Sequence, residues 1–217
     1  ILAQIKHLSE TIYPKIKSYR EHLHQHPELS YQEHNTMAFV AEKLSSLGIS
    51  FEQNVADTGL VAIIKGDHHS NDLSCLGIRA DMDALPIQEE NEVTYRSQNP
   101  GIMHACGHDT HTAMLVGAAK LLSSRKADIT GRVLFMFQPG EEGFNGASEM
   151  LNEGLLDVGT ESPITGAYAI HSASNIPGGF VGLKGGTIMA SSDSMTITVK
   201  GRGGHGSAPH FTLDPVP

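Results

Sequence analysis

Apolar residues in the first part of the chain recur every three or four positions, which is the spacing of one face of an α-helix. They are Ile5, Leu8, Ile12, Ile16, Tyr19 and Leu23. This pattern predicts an amphipathic helix that Pro14 kinks or splits and that ends before Pro27. Ser30 and Glu33 have the spacing of a capping box, and they predict a second helix that stops at Gly48.

Short apolar, β-branched runs further along the chain predict buried strands. They cover residues 60–65, 73–80, 133–137 and 167–170. Helical patterns separate them, and this alternation predicts an α/β domain with a largely parallel sheet flanked by helices. Residues 195–199 alternate between apolar and polar side chains, which predicts a half-buried strand in a second region that begins near residues 185–190.

Polar side chains follow the predicted strands at the point where each strand ends. They are Asp81, Asp83, Glu141, Glu142 and His171. Cys106 and His108 come directly before a predicted helix. Ligands of such sheets bind beyond the carboxyl ends of the strands, so we expect these groups to converge on one rim of the sheet.

Residues 104–111 hold three histidines, one cysteine and one aspartate. Imidazole and thiolate are ligands that select zinc-like metals, and the density of the cluster favours metal binding over a polar loop. Each part also has a simpler explanation. Cys106 fits a small core residue or a Cys–His nucleophile, the two glutamates fit an acidic first helical turn, and the aspartates fit turns. The histidines at positions 22, 24 and 26 are assigned to the polar face and the end of the first helix.

The overall composition excludes several classes of protein. The 217 residues carry a net charge of −9 without a basic block, which argues against nucleic acid as a partner. Two cysteines do not make a disulfide framework and fit a reducing compartment. No apolar run approaches the ~20 residues of a membrane span. We therefore expect a soluble, cytoplasmic protein without a membrane partner.

A metal-centred hypothesis joins these groups. With Cys106, His108, Glu142 and His171 as ligands, zinc or manganese is expected, and the sulfur favours zinc. Glu141 is then placed to act as the general base on a metal-bound water, and Asp83 to orient a ligand or the base. The reaction class that follows is metal-assisted amide hydrolysis. His205, which lies between glycines, is interpreted as an exposed or substrate-contacting residue.

Five motifs occur in a familiar order along the chain, at residues 26–30, 79–86, 104–109, 138–143 and 203–210. Together they resemble the N-acyl-amino-acid amidohydrolases of the aminoacylase and carboxypeptidase-G superfamily, a group that includes hippurate and indole-acetyl-amino-acid hydrolases. The resemblance implies a phosphorylase/hydrolase-like catalytic domain of the metal-dependent exopeptidase type. It also implies an inserted α/β lid that serves a homodimer. We expect the catalytic domain over residues 1–188 and the start of the lid over 189–217.

The same resemblance implies roles for individual residues. Two divalent ions (zinc or manganese, with cobalt or nickel as further options) are expected at the ligands. The implied ligands are Cys106, His108, Glu142 and His171. Glu141 is the implied general base and Asp83 the implied orienting aspartate. His205 resembles the lid histidine that stabilises the tetrahedral oxyanion.

The implied substrates are N-acyl-amino acids or similar small amides. A di- or tripeptidase, a carboxypeptidase and a non-catalytic metal-binding homologue remain as alternatives, because pocket walls set specificity. Members of the group continue beyond the last residue here and contribute a final histidine ligand there. We therefore expect that a product of these 217 residues alone is inactive and poorly soluble.

Overall fold

The computed structural model describes residues 2–68, 74–157 and 164–216. Its first helix, α1, spans Leu2–Gln25 and continues through Pro14. The prediction that Pro14 splits this helix is therefore wrong. Pro14 faces solvent, where water can satisfy the carbonyl group that loses its amide partner. Among the described residues, no helix is both long and apolar enough to cross a membrane.

The second helix, α2, spans His34–Ser46, but the predicted capping box does not form. The Ser30 hydroxyl donates instead to Asp83, and the Glu33 carboxylate lies buried against Thr58. The cap comes from Glu28, whose carboxylate accepts hydrogen bonds from the backbone amides of residues 35 and 36 at 3.1 and 2.8 Å. Its charge also suits the positive end of the helix dipole. The two residues of the expected box are thus available to hold other parts of the fold.

Five strands form one sheet in the order β1-β2-β4-β3-β5. Their bounds are Ser50–Val55 (β1), Gly59–Lys65 (β2), Cys75–Asp81 (β3), Arg132–Gln138 (β4) and Ile164–Ala169 (β5). Strand β2 pairs antiparallel with β1 and β4, whereas β3 pairs parallel with β4 and β5. Four of the five strands therefore point the same way, which confirms the predicted α/β class. Strand β1 was not predicted, and residue 73, the predicted start of β3, lies outside the described residues.

Helices cover both faces of the sheet. The side chains of Phe135 and Phe137 on β4 pack in the core shared with α2 and with α3, which spans His108–Ser123. Leu134 and Met136 point the other way, into a smaller core with α4, which spans Gly146–Asn152. All seven residues of β4 are buried, as expected for a central strand with a continuous apolar sequence.

The chain divides into two compact units, residues 1–173 and residues 174–217. Residues 195–199 are exposed and adopt no strand, so that prediction is wrong. Alternation alone does not make a strand, because a strand also needs a neighbour to satisfy its backbone groups. Arg202 and Leu213 form an isolated antiparallel bridge within this unit. The proposed boundary between residues 188 and 189 stays a prediction.

Candidate metal centre

The carboxyl ends of β3, β4 and β5 meet at one rim of the sheet, because these three strands are parallel neighbours. Asp83 follows β3, Glu141 and Glu142 follow β4, and His171 follows β5. Helix α3 begins at the same rim with His108, directly after Gly107, whose φ of 91° suits glycine. The order of the elements therefore gathers side chains that are far apart in the sequence.

Five of the predicted residues form what we call the rim cluster. Its members are Cys106, His108, Glu141, Glu142 and His171. The Cys106 Sγ lies 3.4 Å from the His171 Nε2. The His108 Nε2 lies 3.8 Å from the Glu141 Oε2 and 3.9 Å from the Glu142 Oε1. Donor atoms of Cys106, His108 and His171 lie within 4.8 Å of one another, and so do those of His108, Glu141 and Glu142. His108 thus belongs to both groups.

The side chain of His108 is oriented by Asp83. Its Nδ1 lies 2.8 Å from the Asp83 carbonyl oxygen and 3.2 Å from the Asp83 Oδ1. Its buried Nε2 has no hydrogen-bond partner among the described residues, and neither has the buried Oε1 of Glu142. A histidine with one nitrogen tied to a carboxylate and the other free is the usual arrangement of a metal ligand. The two unpaired atoms fit a site for a cation.

Asp83 is itself held in place from several sides. Its Oδ2 accepts hydrogen bonds from the Ser30 hydroxyl at 2.6 Å and from the Glu142 backbone amide at 2.9 Å. Burial raises the pKa of Asp83, but the hydrogen bonds with His108, Ser30 and the Glu142 amide outweigh burial and lower it. The carboxylate is therefore charged and fixed, as an orienting group must be.

Negative charge accumulates in the rim cluster. Burial, together with the nearby carboxylates of Glu142, Asp81 and Glu141, raises the pKa of the Cys106 thiol to about 12. Burial also raises the pKa of Glu142, although His108 opposes the shift. These surroundings disfavour a free thiolate nucleophile, which needs a lowered pKa. They suit a divalent cation, which would reverse the balance by stabilising both the thiolate and the carboxylate.

Sequence reasoning did not assign a role to His111, which forms a third group with Asp81 and His108. The His111 Nδ1 lies 2.6 Å from the Asp81 Oδ1. Burial raises the pKa of Asp81, but the hydrogen bond with His111 and the charges of His108 and Arg79 lower it to about 2. The position of His111 three residues after His108 was the available signal, because residues so spaced on a helix share a face.

The loop that carries Glu141 and Glu142 is tied to Glu33. The Glu33 Oε1 accepts a hydrogen bond from the Gly140 amide at 2.9 Å, and its Oε2 accepts one from the Thr58 hydroxyl at 2.5 Å. Burial raises the pKa of Glu33, although these hydrogen bonds oppose the shift. Glu33 was predicted as a cap, and no local pattern indicates this longer-range contact.

A second group of charged side chains includes Asp109 in the first turn of α3, and we call it the loop anchor. Its members are Arg20, His24, Glu89 and Asp109. The His24 Nδ1 lies 2.8 Å from the Asp109 Oδ2, and its Nε2 lies 3.1 Å from the Glu89 Oε1. His24 is only 3% exposed, so its assignment to a polar helix face is wrong: the two carboxylates compensate for its burial.

His104, which the sequence places in the same histidine-rich stretch, lies outside the rim cluster. Its ring centroid is 6.5 Å from that of His24. Burial lowers the pKa of His104 to about 4, so the imidazole is neutral at physiological pH. The stretch of residues 104–111 thus contains side chains that point to different surroundings, and its histidines do not act as one ligand group.

His205 belongs to the second unit. It is exposed, and its Nδ1 lies 2.8 Å from the Ser207 hydroxyl oxygen. Its exposure fits both a free surface residue and a residue that contacts substrate. Its role in stabilising an oxyanion stays a prediction.

Residues 77–214, well over half of the chain, match the model of peptidase family M20/M25/M40. The chain belongs to this family. The motifs recognised in the sequence therefore lie within a region that matches the family model, except for residues 26–30.

Two relatives illustrate what the chain is similar to. An N-acyl-L-amino acid amidohydrolase of Geobacillus stearothermophilus is 44% identical over 214 residues, which are 98% of this chain and 56% of that protein. Thermostable carboxypeptidase 1 of Saccharolobus solfataricus is 44% identical over 200 residues, which are 91% and 49% of the two chains. The chain thus spans about half the length of the curated relatives it matches.

The fold is also that of a solved family member. The crystal structure of Bacillus subtilis YXEP, described as a dinuclear metal-binding peptidase of family M20, matches with a TM-score of 0.74 and 38% sequence identity. The match covers 81% of this chain and 47% of that chain. The fold of this chain is therefore a known architecture of family M20.

Proposed function

We propose that this protein hydrolyses the amide bond of N-acyl-amino acids in a metal-dependent reaction. The observation that carries the proposal is the rim cluster: unpaired donor atoms of His108 and Glu142 face each other at 3.9 Å, with the Glu141 carboxylate beside them. The amidohydrolase of G. stearothermophilus, which is 44% identical over nearly the whole chain, supports the choice of substrate class.

Four residues would hold two divalent ions, as in the relative described as dinuclear. They are Cys106, His108, Glu142 and His171. A thiolate together with imidazoles and a carboxylate favours zinc, with manganese as the second choice and cobalt or nickel as further options. When bound, the ions would lower the pKa of a coordinated water and polarise the substrate carbonyl.

Glu141 is the proposed general base. Its side chain is 40% exposed, whereas that of Glu142 is 22% exposed, so Glu141 is the more accessible to solvent and substrate. The carboxylate takes a proton as water attacks the amide carbon, and it then returns the proton to the leaving nitrogen as the C–N bond breaks. The products are a carboxylic acid and a free amino acid.

His205 is proposed to stabilise the oxyanion that forms during this attack. Its exposure and its glycine-rich surroundings support a contact with substrate. Residues from about 189 onward are proposed to begin a lid through which two copies form a homodimer. A cytoplasmic location is proposed from the two free cysteines.

A carboxypeptidase is the second candidate, because the relative from S. solfataricus carries that name at the same identity. Both activities cleave an amide next to a free carboxylate, and the rim cluster would serve either. The choice between them depends on the groups that contact the acyl part of the substrate.

Glu141→Gln tests the proposal. The change removes the proton acceptor and keeps the shape of the side chain, so we expect hydrolysis to fall by ~10²–10⁴-fold with the metal content unchanged. Hydrolysis of N-acetyl-, benzoyl- and indole-acetyl-amino acids is measured beside hydrolysis of dipeptides, with metal analysis of the same samples. Glu149→Gln, at an exposed glutamate in the first turn of α4, is the matched control.

The outcomes separate the candidates. Faster cleavage of dipeptides than of all N-acyl-amino acids would favour the peptidase alternative. Equal rates for the wild type and Glu141→Gln would contradict the role of Glu141. A metal-loaded complete protein, rather than a product of these 217 residues alone, that cleaves none of these substrates would support the non-catalytic alternative.

A further inference from the structure

His111 is buried beside the rim cluster, and both of its ring nitrogens have partners. It is only 3% exposed. Its Nδ1 lies 2.6 Å from the Asp81 Oδ1, and its Nε2 lies 2.8 Å from the backbone nitrogen of Ser172. A backbone amide can only donate, so the Nε2 of His111 must carry a lone pair. The Nδ1 therefore carries the proton and donates it to Asp81.

These partners argue against His111 as a metal ligand. The donor atoms of Asp81, His108 and His111 lie within 4.8 Å of one another, which by distance alone would suit a cation. Both nitrogens are, however, already in use: the Asp81 carboxylate contacts Nδ1, and the Ser172 amide contacts Nε2. A cation that bound His111 would have to displace one of these two groups. The hydrogen bonds assign His111 a different task.

Ser172 connects His111 to two members of the rim cluster. Its hydroxyl donates to the Cys106 carbonyl at 3.0 Å, and its own carbonyl lies 2.6 Å from the His171 Nδ1. The latter contact requires a proton on the His171 Nδ1, because a carbonyl only accepts. In the neutral ring the lone pair is then on the His171 Nε2, which lies 3.4 Å from the Cys106 Sγ.

Gly107 gives independent evidence that this contact is close. A Cβ atom built on Gly107 would lie 2.3 Å from the Ser172 Oγ, and the φ of Gly107 is 91°. The turn before α3 and the segment after β5 therefore approach as only a glycine permits. Ser172 occupies the space that a side chain at position 107 would need.

We propose that Asp81 and His111 are positioning residues, which hold the segment of His171 and Ser172 against the turn of Cys106 and Gly107. The chain of contacts runs from the Asp81 carboxylate through the His111 ring to the Ser172 amide. It directs the His171 Nε2 and the Cys106 Sγ toward one cation. This inference rests on the proposed metal site, and it adds a residue pair that shapes that site. Both nitrogens of His111 are engaged, and the second carboxylate oxygen of Asp81, Oδ2, lies 2.9 Å from the Arg79 guanidinium.

The test compares His111→Asn with Leu115→Ala in the purified protein. Asparagine keeps a donor for Asp81, but it is too short to accept from the Ser172 amide. Leu115 lies one turn further along α3 in the apolar core, so its truncation weakens packing without touching the contacts of His111. Co²⁺ titration, followed by the thiolate-to-cobalt absorption band, reports the affinity and the geometry at Cys106.

We expect His111→Asn to bind Co²⁺ ~10–100-fold more weakly at the site of Cys106 and His171, with a changed absorption band. His111→Gln, whose amide oxygen can reach the Ser172 amide, should recover part of that loss. Leu115→Ala should keep the wild-type spectrum and affinity per folded molecule. Wild-type affinity and spectrum in His111→Asn would overturn the proposal, as would an equal loss in Leu115→Ala.

Histidine tautomers test the same proposal without any substitution. In ¹⁵N-histidine spectra of the unsubstituted protein without metal, His111 and His171 should both carry their proton on Nδ1. A proton on the Nε2 of His111 would overturn the proposal even if His111→Asn fails to fold. Both readouts are independent of turnover, so a protein that binds Co²⁺ as expected but cleaves no N-acyl-amino acid would contradict the proposed function alone.

Discussion

The rim cluster and the loop anchor both combine histidine with carboxylates, and each contains one of the first two residues of α3. In the loop anchor both nitrogens of His24 meet carboxylates, at 2.8 and 3.1 Å. In the rim cluster only one nitrogen of His108 is paired, and its Nε2 has no hydrogen-bond partner among the described residues. His108 and Asp109 are neighbours in the sequence, yet each belongs to a different cluster.

The difference lies in whether the imidazole and carboxylate atoms have hydrogen-bond partners. Each carboxylate oxygen of the loop anchor has a partner: Asp109 contacts His24 and the Thr110 amide, and Glu89 contacts His24 and the Ser97 amide. Such a network stabilises the fold and offers nothing to a ligand. The rim cluster keeps buried donor atoms unpaired, which costs stability unless something binds them. The pairing of the second imidazole nitrogen therefore distinguishes His24, which belongs to a structural network, from His108, which belongs to the candidate binding site.

We expect the largest loss of metal and of activity when His108 is replaced. Replacement of His108 by glutamine removes the donor atom that two groups of the rim cluster share, so we expect the loss of at least one metal ion. Hydrolysis should fall by at least ~10³-fold, because both the base and its target depend on that ion. Metal analysis and activity assays check this, and circular dichroism shows whether the fold is kept. A His108→Gln protein with full metal content would contradict the ligand role.

The rim cluster could be predicted from the sequence because the order and direction of the strands determine which side chains come together. Strands that alternate with helices run parallel, their carboxyl ends meet, and polar residues directly after Asp81 and Gln138 must then lie close together. The loop anchor could not be predicted in this way. His24 pairs with Asp109 and Glu89, which are 85 and 65 positions away. No periodicity or motif signals such a contact across a loop.

Local patterns were correct where packing agreed with them and wrong where it did not. The apolar run of β4 became a central strand because helices cover both of its faces. The capping box at Ser30 and Glu33 failed because Asp83 and Thr58 offer those side chains buried partners, and Glu28 caps α2 instead. Tertiary contacts outweigh a local cap of about 1 kcal/mol.

The second prediction concerns His24. Its replacement by glutamine leaves two buried carboxylates with only part of their compensation, so the free energy of unfolding should fall by about 3 kcal/mol. Metal content should stay that of the wild type, because no atom of the rim cluster contacts His24. Denaturant unfolding and metal analysis of the same preparation check both halves. Loss of metal with unchanged stability would reverse the assignment of the two clusters.

The effect of His24 should also depend on pH. Burial lowers the pKa of His24, but the hydrogen bonds with Asp109 and Glu89 outweigh burial and the charge of Arg20, and they raise the pKa above 6.5. A raised pKa means that the stabilisation is complete below pH 6.5 and is lost as pH rises through the pKa in the folded protein. The difference between the wild type and His24→Gln should therefore shrink in alkaline solution. A difference that grows with pH would contradict this.

We expect the smallest changes in stability and metal affinity when single hydrogen bonds to the buried carboxylates Asp83 and Glu89 are removed. Ser30 donates to the Asp83 Oδ2 at 2.6 Å, and Asn91 donates to the Glu89 Oε1 at 3.2 Å. Each alanine variant removes one of several hydrogen bonds to a buried carboxylate, so each should lower the free energy of unfolding by about 1 kcal/mol. Only Ser30→Ala should also weaken metal binding, by less than ~10-fold, because Asp83 keeps its contacts with His108 and the Glu142 amide. Metal titration of both variants checks this difference, and weaker binding in Asn91→Ala would show that the two clusters are energetically coupled.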